Sequence, residues 1–110
     1  NTYLCATMHV AFAHKLRGSR WTDDPDAQDA LKVKVAQNIT DCAQMLESHY
    51  IKGPWAMGEQ YTLCDAYLFL APRWMAKAGV PLSDYPKLQA HHDAILKRPA
   101  TLAVMAVHGI

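Results

Sequence analysis

The run Gly58-Glu59-Gln60-Tyr61-Thr62-Leu63-Cys64-Asp65-Ala66-Tyr67-Leu68 constrains the fold of this chain more than any other stretch. It predicts a turn, a helix cap and the first turns of a helix. Thr62 suits an N-cap, because its hydroxyl can accept a hydrogen bond from a free N–H of the first turn. Asp65, three residues on, can reach back to the Thr62 N–H and close a reciprocal cap, as a shorter variant of the usual Glu or Gln. Its charge also suits the positive end of a helix. Leu63, Ala66, Tyr67, Leu68, Phe69, Leu70, Ala71, Trp74, Met75 and Ala76 then make the helix apolar nearly all round, the pattern of a helix in the middle of a domain. The expectation is a central helix with a buried cap, in which Asp65 is structural and not a catalytic acid.

Periodicity places further helices on both sides. Leu4, Met8, Phe12 and Leu16 recur every four residues and predict a helix over 2–16. Asp24-Pro25 starts another, with Asp as N-cap and Pro in the first turn. Leu31, Val35, Ile39, Cys42, Leu46 and Tyr50 mark one continuous face from Pro25 to Ile51. Lys32, Lys34, Gln37, Asp41, Gln44 and Glu47 fall on its other faces and should be solvated. Gly79 ends the central helix, Ser83 or Asp84 opens the next near Tyr85, and Pro99 separates a last helix over about 100–107. No alternation suggests a strand. The chain reads as all-α, a single domain over 1–110 with about five helices bundled around the capped one.

Composition narrows the function. The formal net charge is +1 with no run of like charges, which argues against a nucleic-acid partner. No stretch reaches the length of a membrane helix. Cys5, Cys42 and Cys64 are odd in number and lack Cys-x-x-Cys spacing, which fits reduced thiols and a cytoplasmic protein. Cys5 and Cys64 lie on apolar helices and read as small core residues. His91 and His92 are adjacent and point to different helix faces, and His9 and His14 are five apart, so no metal site is expected. Pro72 falls inside the central helix, where it costs about 3 kcal/mol in regular geometry. A kink over 68–72 is therefore predicted. Thr2, Cys5, His9 and Phe12 share one stripe of the first helix.

The ordered pieces Gly58-x-x-x-Thr62-x-x-Asp65-Ala66-Tyr67-Leu68-Phe69, Arg73-Trp74, Tyr85-Pro86-x-Leu88 and Arg98-Pro99-Ala100 carry a family resemblance. Together they resemble the C-terminal helical domain of glutathione transferases, nearest the bacterial beta class, from about Tyr3 to Val107. The resemblance implies that a thioredoxin-like N-terminal domain, absent from this chain, holds most of the glutathione and the residue that contacts its sulfur. No catalytic residue is then expected in this chain, which alone should be inactive. Tyr3-Leu4-x-x-Thr7-Met8-His9-x-x-Phe12 resembles the segment that reaches glutathione. That resemblance implies glutathione contacts at Thr2, Ala6, Thr7, Met8 and His9, with the His9 imidazole near the thiolate. A partly buried interface histidine is the other reading of His9. Two departures stand out: Val10 replaces a basic residue, and Thr2 replaces an Asn.

The Arg73-Trp74 pair resembles the family's co-substrate wall, and with Phe12 it implies a pocket for a small hydrophobic electrophile. Core packing is the other reading for Trp74 and Phe12. The implied function is conjugation of glutathione to such electrophiles, or their reduction with it, as in detoxification by a cytoplasmic homodimer. The alternative is a non-catalytic interaction or assembly module of the same fold.

Overall fold

The first apolar run forms one helical rod. In the computed structural model, which describes residues 1–110, a π turn over Leu4–Met8 leads straight into α1, His9–Leu16. After a 3₁₀ turn at Gly18–Arg20, α2 runs Pro25–Val33. Its N-cap is Asp24, whose carboxylate accepts from the Asp26 N–H at 3.0 Å, and Pro25 fills the first position. The face expected to continue unbroken to Ile51 is interrupted at Lys34. There the N–H bonds the Leu31 carbonyl three residues back, so one turn tightens before α3, Val35–Met45, resumes. A second π turn, Leu46–Tyr50, extends α3.

The central helix is likewise divided. α4 spans Leu63–Leu68 and α5 spans Ala71–Ala78, joined by a turn at Phe69 and Leu70. The expected kink is therefore a full break. Pro72 occupies the first turn of α5, where a missing N–H costs nothing. Arg73 bonds the Leu70 carbonyl instead of reaching a further residue back. Gly79, left-handed at φ 78°, ends α5, with Val80 N–H bonded to the Met75 carbonyl at 2.9 Å. Lys15 of α1 donates to the Lys77 carbonyl in the last turn of α5.

α6, Pro86–Leu96, and α7, Pro99–His108, complete seven α-helical segments built from the five predicted runs, and no strand is present. The cap of α6 comes from neither Ser83 nor Asp84. Glu47, on the π turn that follows α3, accepts from the Lys87 N–H at 2.9 Å and the Leu88 N–H at 3.0 Å. Glu47 is thus a half-exposed tertiary cap and not merely a solvated residue.

The core lies where α1, α3 and α5 pack together, with α6 closing on the end of α3. Met8, Ile39, Met75 and Leu88 are its fully buried centre. The 51–62 connection folds into a hairpin-like turn, with Trp55 and Gly58 bonded to each other in both directions at 3.1 Å. Gly53 lies directly on this turn: a methyl group there would sit 2.9 Å from the Gly58 carbonyl oxygen. The central helix is buried on one side only. Leu68, Ala71 and Met75 face the core, whereas Leu63 is 78% exposed. α7 leans mainly on α6 and has no buried residue.

Candidate functional site

Two arrangements of different kinds flank α4. The first is internal. Asp65 is fully buried and accepts four hydrogen bonds. Its Oδ1 receives the Ala56 N–H at 2.7 Å and His91 Nε2 at 2.9 Å. Its Oδ2 receives the Thr62 N–H at 2.7 Å and the Thr62 hydroxyl at 3.1 Å. Thr62 and Asp65 form the reciprocal cap at the start of α4. Burial pushes the Asp65 carboxyl up, but the donors around it outweigh burial and hold it below the usual carboxylate value. Burial pulls the His91 imidazole down, and the nearby carboxylate only partly restores it. The pair is therefore an ionised Asp65 accepting from Nε2–H of a neutral His91.

Sequence reasoning missed His91, although a signal was present: it falls three residues after Leu88 and four before Ile95, in phase with two buried positions of α6. Its ring packs edge-on to Trp55 at 5.9 Å. Arg98, at the joint between α6 and α7, lies over the Tyr61 ring at 3.7 Å and over Trp55 at 5.8 Å, so the 51–62 connection is held to α6 by the His91–Trp55 contact and to that joint by Arg98.

The second arrangement is open. Thr2 and Cys5 at the start of the first rod face Leu63, Ala66 and Tyr67 of α4 across a trough of about 600 Å³. The volume suits a small ligand, though the trough lacks a wall on one side. Cys5 is exposed here, contrary to its reading as a core residue; Cys42 is the buried thiol and Cys64 is half-buried. Leu4 and Met8 are the buried positions of this turn, packed toward α3, and the Thr2–Cys5 stripe is left exposed. Burial, then a hydrogen bond with Cys5, pushes the Tyr67 phenol up, so it stays protonated at neutral pH. Further along the same stripe, His9 stacks on Trp74, with ring centroids 5.1 Å apart and planes 6° from parallel. No group of three or more His, Cys, Asp or Glu side chains converges anywhere in the chain.

The model of the glutathione S-transferase C-terminal domain family matches residues 5–99. The chain belongs to that family. It is 35% identical to a glutathione transferase homologue from Sulfitobacter solved with bound glutathione, with a TM-score of 0.94 over 98% of this chain and 52% of that one. It is 34% identical to glutathione S-transferase GST-4.5 of Xanthomonas campestris pv. campestris over 65 residues, 59% of this chain and 32% of the relative. It is 22% identical to glutathione S-transferase GstA of Escherichia coli O157:H7 over 98% of this chain and 50% of the relative. The chain thus spans half or less of the curated relatives it matches.

Within this glutathione S-transferase domain, the residues implied by resemblance do not form one surface. Thr2 lines the trough, and His9 lies on the same stripe. Ala6 and Thr7 face the opposite way, into a groove against α3 that also includes Asn38 and Asp41. Met8 is 0% exposed, so its side chain belongs to the core and not to an open surface. Phe12 is 7% exposed and backs Trp74 from inside, with centroids 6.5 Å apart. Arg73 and Trp74, adjacent on α5, diverge: Trp74 meets His9, while Arg73 lines an apolar groove against Val104 and Met105 of α7.

Proposed function

We propose that this chain is the helical half of a glutathione-dependent transferase, and that a thioredoxin-like domain preceding it supplies the missing wall of the trough. The carrying observation is the exposed pair Thr2 and Cys5 on an apolar trough of suitable volume beside α4, with half-buried His9 further along the same stripe against Trp74. In this reading the preceding domain holds glutathione and its sulfur. Thr2 touches the tripeptide. The His9 imidazole stands near the sulfur, where a hydrogen bond or positive charge favours the thiolate over the thiol, which predominates at neutral pH. The backbone of Met8 adjoins that contact, whereas the side chains of Ala6 and Thr7 face the groove against α3. The apolar trough of Leu63, Ala66 and Tyr67 takes a small hydrophobic electrophile, with Trp74 and Phe12 behind His9 and Arg73 turned to the groove against α7. The complete protein then conjugates such compounds or reduces them with glutathione, as a cytoplasmic homodimer engaged in detoxification. This chain alone is inactive, since the groups that ready the nucleophile lie outside it.

The test is a calorimetric titration of the full-length protein with glutathione, followed by turnover of aryl and alkyl electrophiles. Micromolar to millimolar binding with turnover is expected. Absence of binding at millimolar glutathione sinks the reading. A second reading, a non-catalytic assembly module, is favoured by the exposed Leu63, Leu102, Val104 and Val107. The same titration separates the two.

A further inference from the structure

Trp74 stands where a wall for the co-substrate is implied, yet its flat face is already taken. His9 lies on it nearly parallel, and Tyr67 meets it edge-on at 6.1 Å and 76°. Both are favoured aromatic geometries. The His9 imidazole makes no hydrogen bond or ion pair with any group of the chain, and neither of its nitrogens is sealed from solvent. A functional imidazole ordinarily takes its orientation from a hydrogen bond at one nitrogen. Here both nitrogens are free for a ligand, and the indole face is what fixes the ring.

We propose that Trp74 is the positioning residue for His9: its indole holds the imidazole plane beside the trough with both nitrogens available, and it acts on the reaction through His9 and not by binding the co-substrate. This rests on the reading of His9 as the partner of the glutathione sulfur. The arrangement gives Tyr67 a linked part, because it lines the trough and also braces the far edge of the indole. A displacement of Trp74 is then felt at His9 first. A misplaced charge-stabilising group lowers the rate without loosening the apolar partner.

Two measurements test this. On the present chain, the His9 ring protons should resonate upfield under the indole ring current. Trp74→Leu should remove that shift and Trp74→Phe should keep part of it. In the full-length protein, Trp74→Leu should lower kcat/KM for glutathione about tenfold, with the electrophile KM changed by less than about twofold. Trp74→Phe should recover most of the loss, which guards against a variant that merely folds poorly. A rise in electrophile KM with kcat/KM for glutathione unchanged overturns the proposal and returns Trp74 to the co-substrate wall. His9 ring protons indifferent to Trp74→Leu overturn it too, while leaving the parent reading standing. A full-length protein without glutathione turnover overturns both.

Discussion

Asp65 concentrates more of this domain's specificity than any other single side chain. Its four donors come from three places: the 51–62 connection, the start of α4 and the middle of α6. Asp65→Ala leaves the Ala56 N–H, the Thr62 N–H and His91 buried without their acceptor. It should cost roughly 2–4 kcal/mol, read as a lowered urea midpoint; an unchanged midpoint would refute this account of the pair. The pH dependence has a definite sign. Both groups hold folded-state values below their ordinary ones, so the unfolded chain binds more protons and acid favours unfolding. His91 begins to erode stability as pH drops below 6.5, its ordinary value. Asp65 contributes fully above 3.8, and that contribution disappears as pH falls through its depressed value. Urea midpoints of the parent and of His91→Gln should therefore converge between pH 7 and 5, and a constant gap would argue against a neutral buried His91. The cap itself was legible, because Thr62 and Asp65 are three residues apart in one sequence. The partner was not, since 26 residues separate His91 from Asp65 and only the tertiary fold closes that distance.

At the scale of elements, local signals located helices well and their joints poorly. Asp24-Pro25 and Gly79 act within a turn of where they stand, so their roles followed from neighbours alone. The break at Phe69 and Leu70 was half visible: Pro72 announced trouble, but whether a helix bends or restarts depends on what packs beneath it. The interruption at Lys34 had no breaker residue at all. Glu47 shows the limit most clearly, for its charge and spacing mark a solvated position, yet it satisfies two amides of a helix forty residues on. Glu47→Ala should destabilise the domain by about 1 kcal/mol. Amide exchange should locate the loss at Lys87 and Leu88 more than elsewhere. Uniform acceleration across α6, or none, would count against this capping role. The site was legible in the same uneven way. The stripe of Thr2, Cys5 and His9 follows from helical spacing, whereas the divergence of Arg73 from Trp74 depends on where α7 and α1 lie.

The molecule as a whole is a slab of 46 × 33 × 24 Å with a radius of gyration of 14.9 Å. A free-standing domain of this length is expected near 13 Å. Only 23 of 110 residues are buried, so the excess dimension reflects faces left uncovered and not a loose core. Leu63 stands at the edge of the trough on such a face. Leu63→Glu should leave the unfolding free energy within about 0.5 kcal/mol, read as an almost unchanged urea midpoint. A large loss of stability would mean that Leu63 belongs to the core after all. α7 marks the same incompleteness differently. Ten residues without a buried side chain fall short of what sustains a helix by itself in water. Its amides should thus exchange faster than those of α3 or α5, as befits a helix that hangs mainly on one neighbour.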